Sequence, residues 1–162
     1  MIRHTPARAA AAAALLLVLA LLPASCSSLE PKPAWIEREI SAGSDPLLMD
    51  CTALAIQKSG FPVGAGIDPG GLVAVSGWHI SLAPFRGKGY REQCEVRYTR
   101  LSPGKYRAAI RVRRDKNDDI LHPIDVTYAV WVPTPDNVDR ARIVLQHINS
   151  LLGTGVEISS GR

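Results

Sequence analysis

The residues best equipped for chemistry in this 162-residue chain are three cysteines, four histidines, two glycine-rich stretches and a set of arginines. Cys26 lies in the stretch LLPASCSS, among small residues just after an apolar run, while Cys51 and Cys94 stand far apart in the body of the chain. His79, His122 and His147 fall in three separate segments, and none belongs to a paired metal-ligand motif, so no metal is expected. The segment GAGIDPGG lacks the G-x-G-x-x-G spacing and precedes a strand-like run, which argues against dinucleotide binding. PFRGKGY lacks the upstream glycine and the Ser/Thr of a phosphate loop, and there is no G-x-S-x-G elbow. No constellation names a reaction or calls for a cofactor. The expectation is a protein that is not an enzyme.

Cys26 takes its meaning from what precedes it. Arg3, His4 and Arg8 form a basic start, Ala9–Leu22 runs without a polar side chain, and Ala24 and Ser25 are small. Fourteen apolar residues fall short of the roughly 17–25 that span a bilayer as a helix. The pattern is that of an export signal occupying residues 1–25. An ordinary secretory cut is one alternative, although Pro23 fits its third position poorly. The other is lipidation: Pro23-Ala24-Ser25-Cys26 resembles the lipobox of bacterial lipoprotein precursors. The resemblance covers about the first 26 residues. It implies a diacylglyceryl thioether on Cys26 with a further amide-linked acyl chain (palmitate or a similar fatty acid), and two such attachments hold a protein durably where one does not. Ser27 stands where an inner-membrane retention signal would place Asp, so the resemblance implies the outer membrane of the cell envelope, facing the periplasm.

Loss of residues 1–25 leaves 137 residues, the size of one ordinary domain. Of the 19 Lys and Arg, Arg3 and Arg8 leave with that segment, so the mature chain carries 17 basic against 15 acidic side chains. That balance does not suggest a nucleic-acid partner. With Cys26 assigned to lipid, Cys51 and Cys94 are an even pair in an oxidising compartment, where a disulfide is the default. It would close a 44-residue loop, worth about 4 kcal/mol in the chain-entropy model.

The elements that would position these residues follow from periodicity. Residues 26–44 read as the lipidated Cys and a proline-bearing tether, with AWIEREI able to dock as a short helix or a strand. Asp45-Pro46 predicts a helix start, with Asp45 as the cap, and Leu47, Leu48, Cys51, Leu54 and Ala55 make its apolar stripe up to Gly60. Asp68-Pro69-Gly70-Gly71 marks a turn between two short extended runs. REQCEVRYTRLSPGKYRAAIRVRR predicts a hairpin in which Cys94, Val96 and Tyr98 face inward with Tyr106, Ala108, Ile110 and Val112. With Ser102-Pro103-Gly104 as a three-residue loop, Cys94 faces Val112 and Glu95 faces Arg111. Lys116-Asn117-Asp118-Asp119 predicts a turn, and alternation at Ile124, Val126, Tyr128, Val130 and Val132 a further strand. Thr134-Pro135-Asp136 then opens an amphipathic helix closed by Gly153.

The expected fold is α+β: a two-layer sandwich of four or five antiparallel strands, with an N-terminal and a C-terminal helix packed on one face. The domain would span 45–153, followed by a flexible tail, 154–162. The predicted disulfide would staple the layers. On the outer face, Arg97, Arg107, Arg111 and Arg113 line up as a stripe that reads either as an ordinary solvated sheet face or as a contact surface for anionic headgroups or an acidic partner. The functional expectation is a lipid-anchored envelope lipoprotein acting as a non-enzymatic accessory or scaffold subunit, its partners the membrane through Cys26 and another envelope protein. In topology alone it resembles helix-grip and two-layer lipoproteins of outer-membrane assembly machines. The alternative is a periplasmic carrier with a lipid or other apolar ligand between sheet and helices.

Overall fold

A computed structural model describes residues 31–62, 64, 66–82 and 89–153. The lipobox-like stretch with Cys26, and the tail from residue 154, lie outside them. The described residues build one antiparallel sheet of seven strands: β1 (Ile36–Ser41), β2 (Gly66–Asp68), β3 (Val73–Val75), β4 (His79–Ser81), β5 (Tyr90–Ser102), β6 (Lys105–Asn117) and β7 (Trp131–Thr134). Two helices complete it, α1 (Asp45–Lys58) and α2 (Val138–Leu151). The class is α+β as expected, but the sheet is larger than four or five strands. AWIEREI supplies one addition: it pairs with β6 as an edge strand, Ile36 opposite Ile110 through Ser41 opposite Lys105.

The β5–β6 hairpin is the spine, each arm 13 residues long. Its register is the predicted one, with Cys94 opposite Val112 and Glu95 opposite Arg111. The tip differs. Ser102 pairs with Lys105, and the register slips between Arg100 and Ser102, so the connection is Pro103-Gly104 plus a bulge at Leu101. One extra residue in the strand replaces one in the loop, which leaves the pairing below it unchanged. Gly104, at φ 73°, takes the left-handed conformation that this tight turn requires. Asp68-Pro69-Gly70-Gly71 likewise joins a small hairpin, β2 to β3, and β3 pairs with β5.

Inward positions of the spine, Val96, Tyr98, Tyr106, Ala108, Ile110 and Val112, form one core with Leu48, Met49, Ala55 and Ile56 of α1 and Ala141, Val144 and Ile148 of α2. Period-2 and period-3.6 stripes thus meet across a single interface, and that burial is the main force holding the layers. At its centre Thr52 Oγ1 and Tyr98 OH share a 2.5 Å hydrogen bond between helix and sheet. Cys51 and Cys94 are both buried there as two free thiols, and the expected bridge between them is not formed.

Four local expectations change. Leu47 and Leu54, expected on the apolar stripe of α1, are 48% and 54% exposed, and Met49, Thr52 and Ile56 are buried with Leu48, Cys51 and Ala55, because the covered face of the helix is turned toward them. The cap of α1 is Ser44, extended at φ −161°, whose side chain accepts from Leu47 N; Asp45 sits in the first turn. The cap of α2 is Asn137, whose Oδ1 accepts from Arg140 N at 3.1 Å. The alternation from Ile124 to Val132 yields no strand before Trp131: Val126–Tyr128 is a 3-10 turn capped by Asp125, and only Trp131–Thr134 pairs, with β6. Alternation makes a strand only when one side of it is covered, and Ile124, Val126, Tyr128 and Val130 are all exposed. Gly60 and Gly153 stop the helices as expected, at φ 80° and 71°.

Candidate functional site

The four arginines of the outer face do share that face, but each of three is matched by an acid. Arg97 Nε donates to Glu95 Oε1 at 2.6 Å, and its guanidinium lies 4.7 Å from the Trp35 ring centre. Arg111 makes a two-pronged pair with Asp136 at 2.7 and 3.2 Å. Asp136 also accepts from Ala34 N at 2.7 Å, so this ion pair fastens the segment before β1 and the approach to α2 against the sheet. Arg113 reaches Asp115 at 3.4 Å. Arg107 is exposed, opposite Thr99 on β5 and Glu39 on β1. The stripe is therefore an interleaved charge lattice more than a uniform cationic plate.

Further along the same face lies a cluster that sequence reasoning missed. Arg91 donates to Asp115 Oδ2 at 2.8 Å, with its guanidinium 4.2 Å from the Trp78 ring centre and 5.0 Å from that of Trp131. Two indoles and a carboxylate around one guanidinium satisfy its charge while removing it from water. Asp115, almost fully buried, belongs to the outer row of β6, opposite Pro133 of β7.

A second unpredicted cluster occupies the helix side. Glu92 is 1% exposed and is bonded to Arg140 of α2, with Asn137 Nδ2 donating to it at 2.7 Å and Arg114 at 3.5 Å. Arg140 also donates to Ser59 O at 3.1 Å, lies 4.2 Å from the Phe61 ring centre, and approaches His79 Nδ1 at 3.5 Å. The end of α1, the start of α2 and strands β4–β6 converge on this carboxylate. The register contained a signal for it, because Cys94 opposite Val112 puts Glu92 opposite Arg114 on the inward row.

The histidines serve structure. His147 Nδ1 meets Ser59 Oγ at 2.9 Å and ties α2 to the end of α1. His79 packs edge-on to Phe61, and His122 stacks on Tyr128 and pairs with Asp119, three residues before it, at 3.2 Å. Near the hairpin tip, hydrogen bonds from Arg100 and then Tyr106 hold the Asp45 carboxyl below its ordinary range. Burial pushes the Cys94 thiol up to about 12, so it stays protonated and a poor nucleophile. Among the described residues no group of three His, Cys, Asp or Glu could hold a metal ion, and no helix is long and apolar enough to cross a membrane.

Two open grooves flank β7. One, of about 340 Å³, lies between Pro31–Pro33 and the side chains of Arg111, Arg113 and Arg114. The other, of about 480 Å³, runs from Tyr90 and Lys116 to the start of α2 and shares Arg114, Thr134 and Asp136 with the first. By contrast, the space between α1 and β3, beside Ile56 and Ala74, is about 20 Å³, no more than a water requires. Compared with known proteins, the chain matches no family model, and no curated protein shows significant similarity to it.

Proposed function

We propose that this protein is a lipid-anchored lipoprotein of the cell envelope, attached through Cys26 on the periplasmic side of the outer membrane, and that its domain acts as a non-enzymatic accessory or scaffold subunit. The observation that carries the anchoring is the stretch LLPASCSS at the end of the Ala9–Leu22 apolar run. The packing of the domain supports a scaffold over a carrier. Tyr98, Tyr106, Leu48, Ile110 and Ile148 fill the interlayer space, and a carrier needs a cavity of several hundred Å³ there. The ion-pair lattice of the outer face and the grooves beside β7 are the surfaces such a subunit presents.

Cells fed labelled fatty acid should place label in the wild-type chain and none in Cys26→Ser. A wild-type chain that stays unlabelled sinks the anchor. Solvent extraction of the purified protein separates the two roles: a stoichiometric non-covalent lipid would replace the scaffold by the carrier.

A further inference from the structure

Among the described residues, the most exposed apolar stretch begins just before the segment, Ile124 to Val132, in which sequence periodicity predicted a strand, and runs into it. Between Asn117 and Trp131, Ile120, Leu121 and Ile124 are 73%, 79% and 66% exposed, and Val126, Tyr128 and Val130 are about half exposed or more. Isolated apolar residues at a surface need no explanation; six within eleven residues do. The segment is an ordered loop. Asn117 Oδ1 accepts from Asp119 N and Val130 N and closes its base. The acids of the loop are held by near neighbours: Asp118 by Lys116 at 3.6 Å, Asp119 by Leu121 N and the His122 ring, and Asp125 by Thr127 N.

This loop runs directly into β7, which is lined along its other flank by the groove of Arg111, Arg113 and Arg114. From Val130 to Pro133 is about 10 Å along an extended chain. Arg111 is committed to Asp136, but Arg113 and Arg114 are partly exposed, and their acids, Asp115 and Glu92, are held more closely by Arg91 and Arg140. Lys32, on the opposite wall, has no ion-pair partner among the described residues. The groove wall at Pro31 is five residues from Cys26, a reach of at most about 18 Å.

We infer that the β7 edge is a bilayer-docking face, in which Ile120, Leu121 and Ile124 enter the interface and Lys32, Arg113 and Arg114 bind lipid headgroup phosphates. The inference rests on the anchoring proposed above, since a lipid on Cys26 holds Pro31 near the membrane surface. An apolar tip with cations behind it is the arrangement that an anionic interface selects. The docked domain has a fixed orientation, with the opposite surfaces turned to the periplasm.

The test uses the full chain as isolated from the envelope, carrying Leu121→Trp and reconstituted in vesicles of phosphatidylglycerol with brominated acyl chains. The wild-type chain, treated in parallel, supplies the emission of Trp35, Trp78 and Trp131 to be subtracted. Against unbrominated controls, emission from the introduced indole should be roughly halved and shifted to the blue. Lys32→Gln and Arg113→Gln should each weaken the docked state about fivefold, and more so together. Lys32→Gln removes no ion pair of the fold. Unquenched, unshifted emission in these vesicles overturns the proposal, as does quenching abolished by inorganic phosphate at constant ionic strength, which would assign the groove to a soluble anion. Intact mass of the same sample reads the anchor separately. Quenching in a chain without lipid keeps the docking face and sinks the anchor, while a lipidated chain without quenching does the reverse.

Discussion

Glu92 is an almost fully buried carboxylate. A carboxylate this buried is tolerated because Arg140, Asn137 and Arg114 surround it, and such a pair costs most when one partner is taken away. Arg140→Met should therefore lower unfolding stability by about 3–5 kcal/mol in urea titrations. Arg107→Gln, which touches no acid closely, should stay within about 0.5 kcal/mol of wild type. Equal effects would show that the Glu92 cluster is solvated. Legibility at this scale was uneven. The outer arginines were visible as a stripe, because strand alternation sorts side chains by face. Their acids were not: register put Glu95 opposite Arg111, yet its carboxylate pairs with Arg97 on its own strand, while Arg111 takes Asp136 from beyond β7 and Arg113 meets Asp115 two residues on.

At the scale of elements, the ends of the helices show how a local rule meets its competitors. Ser44 and Asp45 are both good capping residues, and the sequence favoured Asp45 because Pro46 follows it. The structure uses Ser44 as cap and gives the Asp45 carboxylate to Arg100 and Tyr106 at the hairpin tip. Ser44→Ala should then cost about 1 kcal/mol, measured by thermal or chemical unfolding, through loss of the bond to Leu47 N. A neutral Ser44→Ala would return the cap to Asp45. The loop from 118 to 130 teaches the same lesson in reverse. Its alternation is genuine, yet pairing and cover decide whether alternation becomes a strand, and β6 has already taken β1 and β7 as partners.

For the whole molecule, the layers are held by packing, by the Thr52–Tyr98 bond and by the contacts of Glu92 with Arg140 and Asn137, without a covalent staple between Cys51 and Cys94. Both thiols should resist alkylation in the folded protein and react fully in denaturant, giving a count of two in the domain. Denatured, unreduced protein with no reactive thiol would restore the bridge. Cys94 sits at the middle of the core with its pKa pushed up to about 12, so at neutral pH its thiolate fraction is far below that of an exposed thiol and its labelling should be slow until the fold opens.

What the amino-acid sequence determined alone is whatever depends on near neighbours: the two helices and their glycine stops, the spine hairpin with its register, and which residues of that hairpin face the core. Period and turn chemistry specify these without reference to the rest of the chain. Only tertiary structure decided which acid meets which arginine, which of two adjacent residues caps a helix, and which alternating segment is left uncovered. Those outcomes rest on competition between groups distant in sequence for the same partner, and nothing local ranks the competitors.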